Sequence, residues 1–320
     1  MKAIRIQQFG EPSVLQLAEV PDLAPGPGQI LVRLHAAGVN PVETYVRAGK
    51  YAKLPPLPYT PGGDGAGTIA ALGAGVTGWK VGARVYLAGS LTGTYAEQAL
   101  CEPAHIHPLP DSIPFPQGAA LGVPYTTAHV ALFHRGQAHA GETVLIHGAT
   151  GGVGSAAVQI ALAAGLRVLA TGGTEEGRAL LTREGVHAVF DHHAKDYTQQ
   201  ILDATAGRGV NLILELLANV NLGKDLPMLA PNGCVIVVGS RGPVEINPRD
   251  LMARSADIRG VMVSFTPPSV LAEIHRALID GLEKGTLHPI IARTYSLAEA
   301  PQAHTAVMSP GATGKIVLVT

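Results

Sequence analysis

Thr143-Val-Leu-Ile-His-Gly-Ala-Thr-Gly-Gly-Val-Gly-Ser155 decides how the rest of this chain is read. Thr143 to His147 is an apolar run long enough for one buried strand. Gly148, Gly151, Gly152 and Gly154 follow within seven residues, and an Ala-rich helical pattern runs from about Ala156 to Ala164. Strand, glycine turn and helix in that order suit a bound pyrophosphate. Glycines let the backbone turn sharply and approach a phosphate with no Cβ in the way. The helix N-terminus offers unpaired N–H groups and a partial positive charge. The spacing Gly148, Gly151, Gly154 is G-x-x-G-x-x-G, a variant of the dinucleotide fingerprint, and a bare turn of this kind can also bind nothing. Arg167 to Thr171 supplies the second strand that a βαβ unit needs. Thr150, Gly151, Gly152 and Val153 are therefore the candidate phosphate contacts.

Outward from the turn, apolar strand candidates recur at 143–147, 167–171, 188–191, 210–215 and 233–238, with helical patterns between them and a sixth at 258–263. That alternation predicts an α/β fold with a doubly wound parallel sheet. Thr174 is placed to cap a helix whose first turn holds Glu175 and Glu176. Ile274, Leu278 and Leu282 give a helical stripe over 268–284. Before residue 122 the texture is β-rich, with strands expected at 29–36, 67–72 and 84–87. A helical stretch over 124–135 joins the two textures, and Lys315 to Val319 reads as a strand that returns to the β-rich part.

A hydrophobic fraction of 47% with 15% charged residues supports a buried core and excludes disorder. A net charge of −1 steers the molecule neither to nucleic acid nor to an anionic membrane. Cys101 and Cys234 cannot build a disulfide framework, so a reducing, cytoplasmic setting is expected. The start, Met1-Lys-Ala-Ile-Arg-Ile, has no apolar signal core, and no apolar run is long enough to span a bilayer.

Several stretches together resemble one family. They are Ala37-Gly-Val-Asn-Pro-Val-Glu-Thr-Tyr-Val-Arg-Ala-Gly49, Pro58-Tyr-Thr-Pro-Gly-Gly-Asp64, Gly148 to Gly154, Gly173-Thr-Glu-Glu-Gly177, Leu217-Ala-Asn-Val-Asn-Leu222 and Val238-Gly-Ser-Arg-Gly-Pro-Val-Glu-Ile-Asn-Pro-Arg-Asp250. The chain resembles the zeta-crystallin-like quinone oxidoreductases, a zinc-free branch of the medium-chain dehydrogenase/reductase superfamily. The resemblance implies a GroES-like β-rich domain from residues 1–122 and 264–320, a Rossmann domain from 123–263, and a cofactor in the cleft between them. It places Asn40 and Tyr45 beside the nicotinamide ribose and the substrate, as an amide and a hydroxyl donor. Thr127 would touch the nicotinamide. Asn221, Val238, Gly239, Ser240 and Arg241 complete the implied cofactor set, and the last four also follow a strand's carboxyl end, where ligands collect in such sheets. A homodimer or homotetramer is implied as well.

The zinc alcohol dehydrogenases of this superfamily carry a Cys and a His ligand where this sequence reads Gly38-Val-Asn40 and Gly62-Gly-Asp64. A catalytic zinc needs three converging ligands, so no metal is expected. NAD enzymes usually end the second strand on an acid that binds the ribose 2′-OH. Here that strand ends at Thr171-Gly-Gly-Thr174, and Gly173 leaves room for a 2′-phosphate, which points to NADP(H). Glu175 and Glu176 would repel that phosphate unless their side chains face away. The resemblance adds His192 beside it, and Arg178 is either a second contact or a solvated helix charge.

Without a metal the protein must align the nicotinamide with an acceptor that is already electron-poor. The expected activity is NADPH-dependent reduction of quinones by hydride or electron transfer. The alternative on the same scaffold is an enal or enone reductase. The family also includes lens proteins and binders of AU-rich RNA, but the near-neutral charge and 4% aromatic content argue against a dedicated nucleic-acid surface.

Overall fold

The structure is a computed structural model that describes residues 1–320. The chain divides into two units: one built from Met1–Val123, Ile279–Glu283 and His288–Thr320, the other from Pro124–Leu278 and Lys284–Leu287. The division follows a helix rather than a loop. Residues 264–278, expected in the β-rich domain with 279–320, belong to the second unit, because helix Pro268–Glu283 runs through the boundary.

The first unit is β-rich. Its early elements are β1 (Lys2–Arg5), β2 (Gln16–Glu19), β3 (Ile30–Val39), α1 (Pro41–Arg47), β4 (Asp64–Leu72), β5 (Arg84–Ala88), β6 (Gln98–Cys101), β7 (Ile106–Pro108) and the single turn α2 (Phe115–Gly118). Strand β3 is the axis. It pairs antiparallel with β4, β6 and the late strand Lys315–Val319. One of its faces sends Ile30, Val32 and Leu34 into a core with Ile69, Val85 and Leu87. Beyond the register shift between Leu34 and Ala36, the strand sends Ala37 and Val39 into a second core with Ile4, Ile6 and Leu318. The apolar–polar alternation expected over 29–36 therefore gives way to burial on both faces at 36–39.

The second unit carries the parallel sheet. Helix α3 (Gly122–His129) leads into it and passes into a π-helical turn over Val130–Arg135. Then come β8 (Thr143–Ile146), α4 (Gly152–Ala163), β9 (Arg167–Thr171), α5 (Glu175–Arg183), β10 (Ala188–Phe190), α6 (Tyr197–Ala204), β11 (Val210–Glu215), α7 (Ala218–Asp225), β12 (Leu229–Val237), α8 (Pro248–Met252), β13 (Asp257–Gly260) and α9 (Pro268–Glu283). The strand order is β10-β9-β8-β11-β12-β13, every pairing parallel. All six expected strands form. The order reverses between β8 and β11, the point where ligands bind in sheets of this kind. Leu145, Leu169, Ile213 and Val235 from four adjacent strands pack into one core with Ile201 and Leu222 of the covering helices.

The chain closes with β14 (Ile291–Ser296), α10 (Ala300–Val307) and β15 (Lys315–Val319). Strand β15 lies between β14, parallel, and β3, antiparallel, in the order β14-β15-β3-β4-β5-β7.

Candidate functional site

Because β8 to β13 are all parallel, the loops that follow them leave one edge of the sheet. The candidate cofactor residues of the second unit stand there, apart from Thr127. Thr150 to Val153 follow β8, Gly173 follows β9, His192 follows β10, Asn221 lies early in α7 after β11, and Val238 to Arg241 follow β12. Thr127 is buried within α3, past the middle of the helix rather than at its start.

Three glycines of the turn act for three separate reasons. Gly148 sits at φ +58°, in the left-handed region that a side chain rarely adopts. At Gly154 a Cβ would lie 2.2 Å from the Gly148 carbonyl oxygen and 2.6 Å from Ala149 Cα, so only glycine lets the helix meet the turn. Gly151 is extended and caps α4 with no side-chain bond, and a Cβ there would meet no atom closer than 3.7 Å. The space in front of the helix N-terminus is thus open, and the N–H groups of its first turn have no intrahelical partner. This arrangement fits a diphosphate.

The tip of β9 is lined by imidazoles. A Cβ on Gly173 would lie 2.7 Å from His192 Nε2 and 3.0 Å from His193 Nε2. Burial, then the neighbouring His193, lowers the pKa of His192. Thr174 caps α5 as its sequence suggests, its hydroxyl accepting from Gly177 N at 3.0 Å. Glu175 and Glu176 are exposed in that first turn. Arg178 is committed elsewhere: it pairs with Asp191 at 3.1 Å and donates to the Gly172 carbonyl at 3.2 Å.

The loops after β11 and β12 hold each other. Val238 N and Gly239 N donate to the Glu215 carbonyl, at 2.9 and 3.2 Å, and Ala218 N donates to the Gly239 carbonyl at 2.9 Å. Arg241 N donates to Asn219 Oδ1 at 2.9 Å, and Ser240 Oγ donates to the Gly242 carbonyl at 2.8 Å. Arg241 itself is exposed.

In the first unit Asn40 is 2% exposed at the N-cap of α1. Its amide donates to Asp64 Oδ2 at 2.9 Å and to Glu43 Oε1 at 3.2 Å, and its Oδ1 accepts from the Lys315 ammonium. Lys315 also reaches Asp64 Oδ2 at 3.1 Å. Both amide hydrogens of Asn40 are therefore given to carboxylates within the chain. Tyr45, one turn into α1, is half-buried.

A polar chain continues behind Asn40. Tyr95 donates to Glu43 Oε2 at 2.6 Å, His304 Nε2 lies 3.1 Å from the Tyr95 oxygen, and Arg47 Nη1 lies 3.4 Å from His304 Nδ1. Arginine can only donate. His304 Nδ1 therefore accepts, and its Nε2 carries the hydrogen toward Tyr95. Burial raises the Glu43 pKa, and burial with Arg47 pushes His304 down to about 3. Sequence reading missed Glu43, Tyr95, His304 and Lys315; nothing in the linear pattern joins residues so far apart.

Residues 26–111 match the family described as alcohol dehydrogenase GroES-like domain, and residues 152–278 match the one described as zinc-binding dehydrogenase. A quinone oxidoreductase of Rattus norvegicus is 48% identical over 321 residues, covering 100% of this chain and 98% of that protein. The Homo sapiens quinone oxidoreductase is 46% identical over the same shares. The chain belongs to the zeta-crystallin-like quinone oxidoreductases. Among solved structures, a quinone oxidoreductase of Pseudomonas syringae superposes with a TM-score of 0.91 at 31% identity, over 100% of this chain and 99% of that one. A mycobacterial protein complexed with NADPH gives 0.90 at 29%, covering 100% of each chain. An NAD-dependent alcohol dehydrogenase gives 0.93 at 27%, again covering 100% of each.

The zinc of the wider superfamily does not fit this quinone oxidoreductase family member. A side chain at Gly38 would place its Cβ 2.2 Å from the Ala119 carbonyl oxygen and 2.9 Å from Lys315 Cε. The Lys315 ammonium already fills the space between Asn40 and Asp64. Residues 38, 40 and 64 here present glycine, a fully bonded amide and a paired carboxylate, not three free ligands.

Proposed function

We propose that this chain reduces quinones with NADPH, without a metal. The observation that carries the reading is the Gly148–Gly154 turn. It opens α4 beside the strand-order reversal, with clear space in front of Gly151. The reduced nicotinamide supplies two electrons and a hydrogen when bound, and one proton from solvent completes the hydroquinone. The residues of the chain hold and orient. Thr150 to Val153 take the diphosphate by backbone N–H donation. Asn221 and Val238 to Arg241 line the same edge. Thr127 and Tyr45 serve the nicotinamide end, Tyr45 with the hydroxyl donor. Asn40 acts by fixing α1 against β4 and β15 rather than by donating to substrate, since both of its amide hydrogens are bound.

NADP(H) is preferred over NAD(H) on this reading. No acid ends β9, and His192 and His193 flank Gly173 where a 2′-phosphate would sit. The two units correspond to a GroES-like substrate domain and a Rossmann domain. We also read the chain as a cytoplasmic homo-oligomer. Both cysteines are free and buried, and no helix is long and apolar enough to cross a membrane. Edge strand β13 is followed by Met262 and by Phe265, which is 86% exposed. A surface of that kind suits a second copy.

Fluorescence titration with both cofactors, followed by turnover against quinones, enals and enones, tests this. NADPH should bind more tightly than NADH, quinones should be turned over fastest, and dialysis against a strong chelator should leave the rate intact. His192→Ala should weaken NADPH and leave NADH nearly unchanged. Equal affinity for the two cofactors would end the NADP assignment, and faster turnover of enones would favour the enone reductase.

A further inference from the structure

Three ionisable side chains lie sealed beneath the same edge of the sheet, and quinone reduction gives them no task. His147 follows β8 directly, Glu215 ends β11, and Asp225 ends α7. They are 2%, 0% and 0% exposed. His147 Nε2 is 3.0 Å from Asp225 Oδ1 and 3.9 Å from Glu215 Oε2, and their polar atoms all lie within 4.8 Å of one another. Even so, His147 Nε2, Glu215 Oε2 and both Asp225 oxygens complete no aligned hydrogen bond. Four orphaned polar atoms in one sealed space are costly unless a mobile proton or an ion serves them.

The surroundings select the proton. His147 Nδ1 lies 3.2 Å from Thr171 Oγ1 on β9. The Tyr197 ring of α6 meets the imidazole edge-on at 6.5 Å, and Lys224 of α7 lies 5.9 Å from that ring. His192, beyond β10, is the remaining ionisable neighbour. An imidazolium balances one carboxylate and Lys224 lies outside the cluster, so a second buried negative charge is left over. Two carboxylates this close share a proton rather than both ionise.

We propose that His147, Glu215 and Asp225 form a proton-holding support for the dinucleotide site: an imidazolium beside two carboxylates that share one further proton, so that binding of an anionic dinucleotide is coupled to proton uptake. This rests on the cofactor reading of the 148–154 turn. His147 is bonded in the chain to Gly148, which starts that turn. Glu215 Oε1 accepts from Leu217 N and, at 3.3 Å, from Asn221 Nδ2, so it sets the loop on the other side. The cluster thus underlies both walls of the strand-order reversal. When it holds its shared proton it is neutral. When the proton leaves, one uncompensated negative charge remains below a site built for phosphates, and the charge opposes binding. Burial, partly offset by His147, and then Asp225 push the Glu215 pKa up to about 7. Burial alone would lower His147, but the Asp225 and Glu215 carboxylates overrule it and raise its pKa.

Calorimetric titration of the full chain with NADH, in buffers of different ionisation enthalpy at pH 7.5, tests the coupling. NADH carries no 2′-phosphate, so titration of that phosphate and of His192 against it is left out. The wild type should take up a substantial fraction of a proton per site, and its affinity should fall by up to about tenfold per pH unit above pH 7, the limit for one linked proton. Glu215→Gln keeps an acceptor for Leu217 and donates permanently toward Asp225, which mimics the protonated state. It should show no proton uptake, and at pH 8.5 it should bind about tenfold tighter than the wild type. Asp225→Asn should likewise lose the pH dependence. Binding by the wild type with no proton uptake overturns the inference and leaves the cofactor reading standing. Absence of any dinucleotide binding overturns both. A stoichiometric metal in purified wild type that is lost in Asp225→Asn would assign the cluster to an ion and overturn the shared proton.

Discussion

The Lys315 ammonium lies 3.1 Å from Asp64 Oδ2, with both side chains buried and 251 positions apart in sequence. Asp64 also accepts from Asn40 and, at 2.8 Å, from Val123 N, so β15, β4, α1 and the start of α3 meet on one carboxylate. Removing one partner of a buried pair leaves the other charge uncompensated. Lys315→Met should cost about 3–5 kcal/mol of stability on that ground. Adding Asp64→Asn should restore part of the loss, because the stranded charge is then gone. Chemical denaturation of the single and double variants checks this; a double variant no better than the sum of its parts would show that the two groups are not coupled.

Gly151 and Gly154 separate binding from folding. Gly151 has clear space and an extended backbone that any residue adopts. Gly151→Val should therefore fold and melt cooperatively, while its side chain takes the place of a phosphate oxygen. Losing two charge-assisted hydrogen bonds at about 1.5–3 kcal/mol each implies a drop of about a hundredfold or more in affinity. Gly154→Val drives a Cβ to 2.2 Å from the Gly148 carbonyl and should lower the melting midpoint with or without cofactor. Thermal scans with and without NADPH distinguish the pair: a Gly151→Val variant stabilised like the wild type would mean that the turn binds nothing.

His304 should make the first unit acid-sensitive. Its folded pKa is pushed down to about 3 by burial and Arg47, below its ordinary 6.5. Between those values the unfolded chain binds a proton that the folded chain refuses, so stability falls as pH drops through that window. His304→Phe should flatten the dependence of unfolding free energy between pH 6 and 4 by about 1.4 kcal/mol per pH unit, whatever it does to absolute stability. Glu215 has the opposite sign. Its raised pKa means that the folded chain binds the extra proton, and stability is lost as pH rises toward 7.

The parallel sheet was legible because each of its strands is an apolar run between helical patterns, and buried strands read that way wherever they stand. The turn was legible because glycine marks local needs: a left-handed φ at Gly148, a close backbone approach at Gly154 and open space at Gly151. Asn40 was found by likeness, but its bonding was not, since its partners Asp64 and Lys315 are 24 and 275 residues away. The His147 cluster left a faint trace: Ile146-His147 and Leu214-Glu215 each end a buried apolar run on an ionisable residue. Nothing local says that those ends adjoin, because that depends on β8 pairing with β11. The π-helical turn at Val130–Arg135 and the path of α9 through the unit boundary were likewise set by tertiary packing rather than by periodicity.

Strand β15 is interior to its sheet, held by β14 on one side and β3 on the other. During synthesis, residues 36–39 emerge long before residues 316–319 that must lie beside them. The second unit, almost continuous from Pro124 to Leu278, has all its strands available earlier. On a ribosome the parallel-sheet unit should thus acquire protease resistance first. The β-rich unit must wait with the β3 edge bare, an interval in which a chaperone has something to hold.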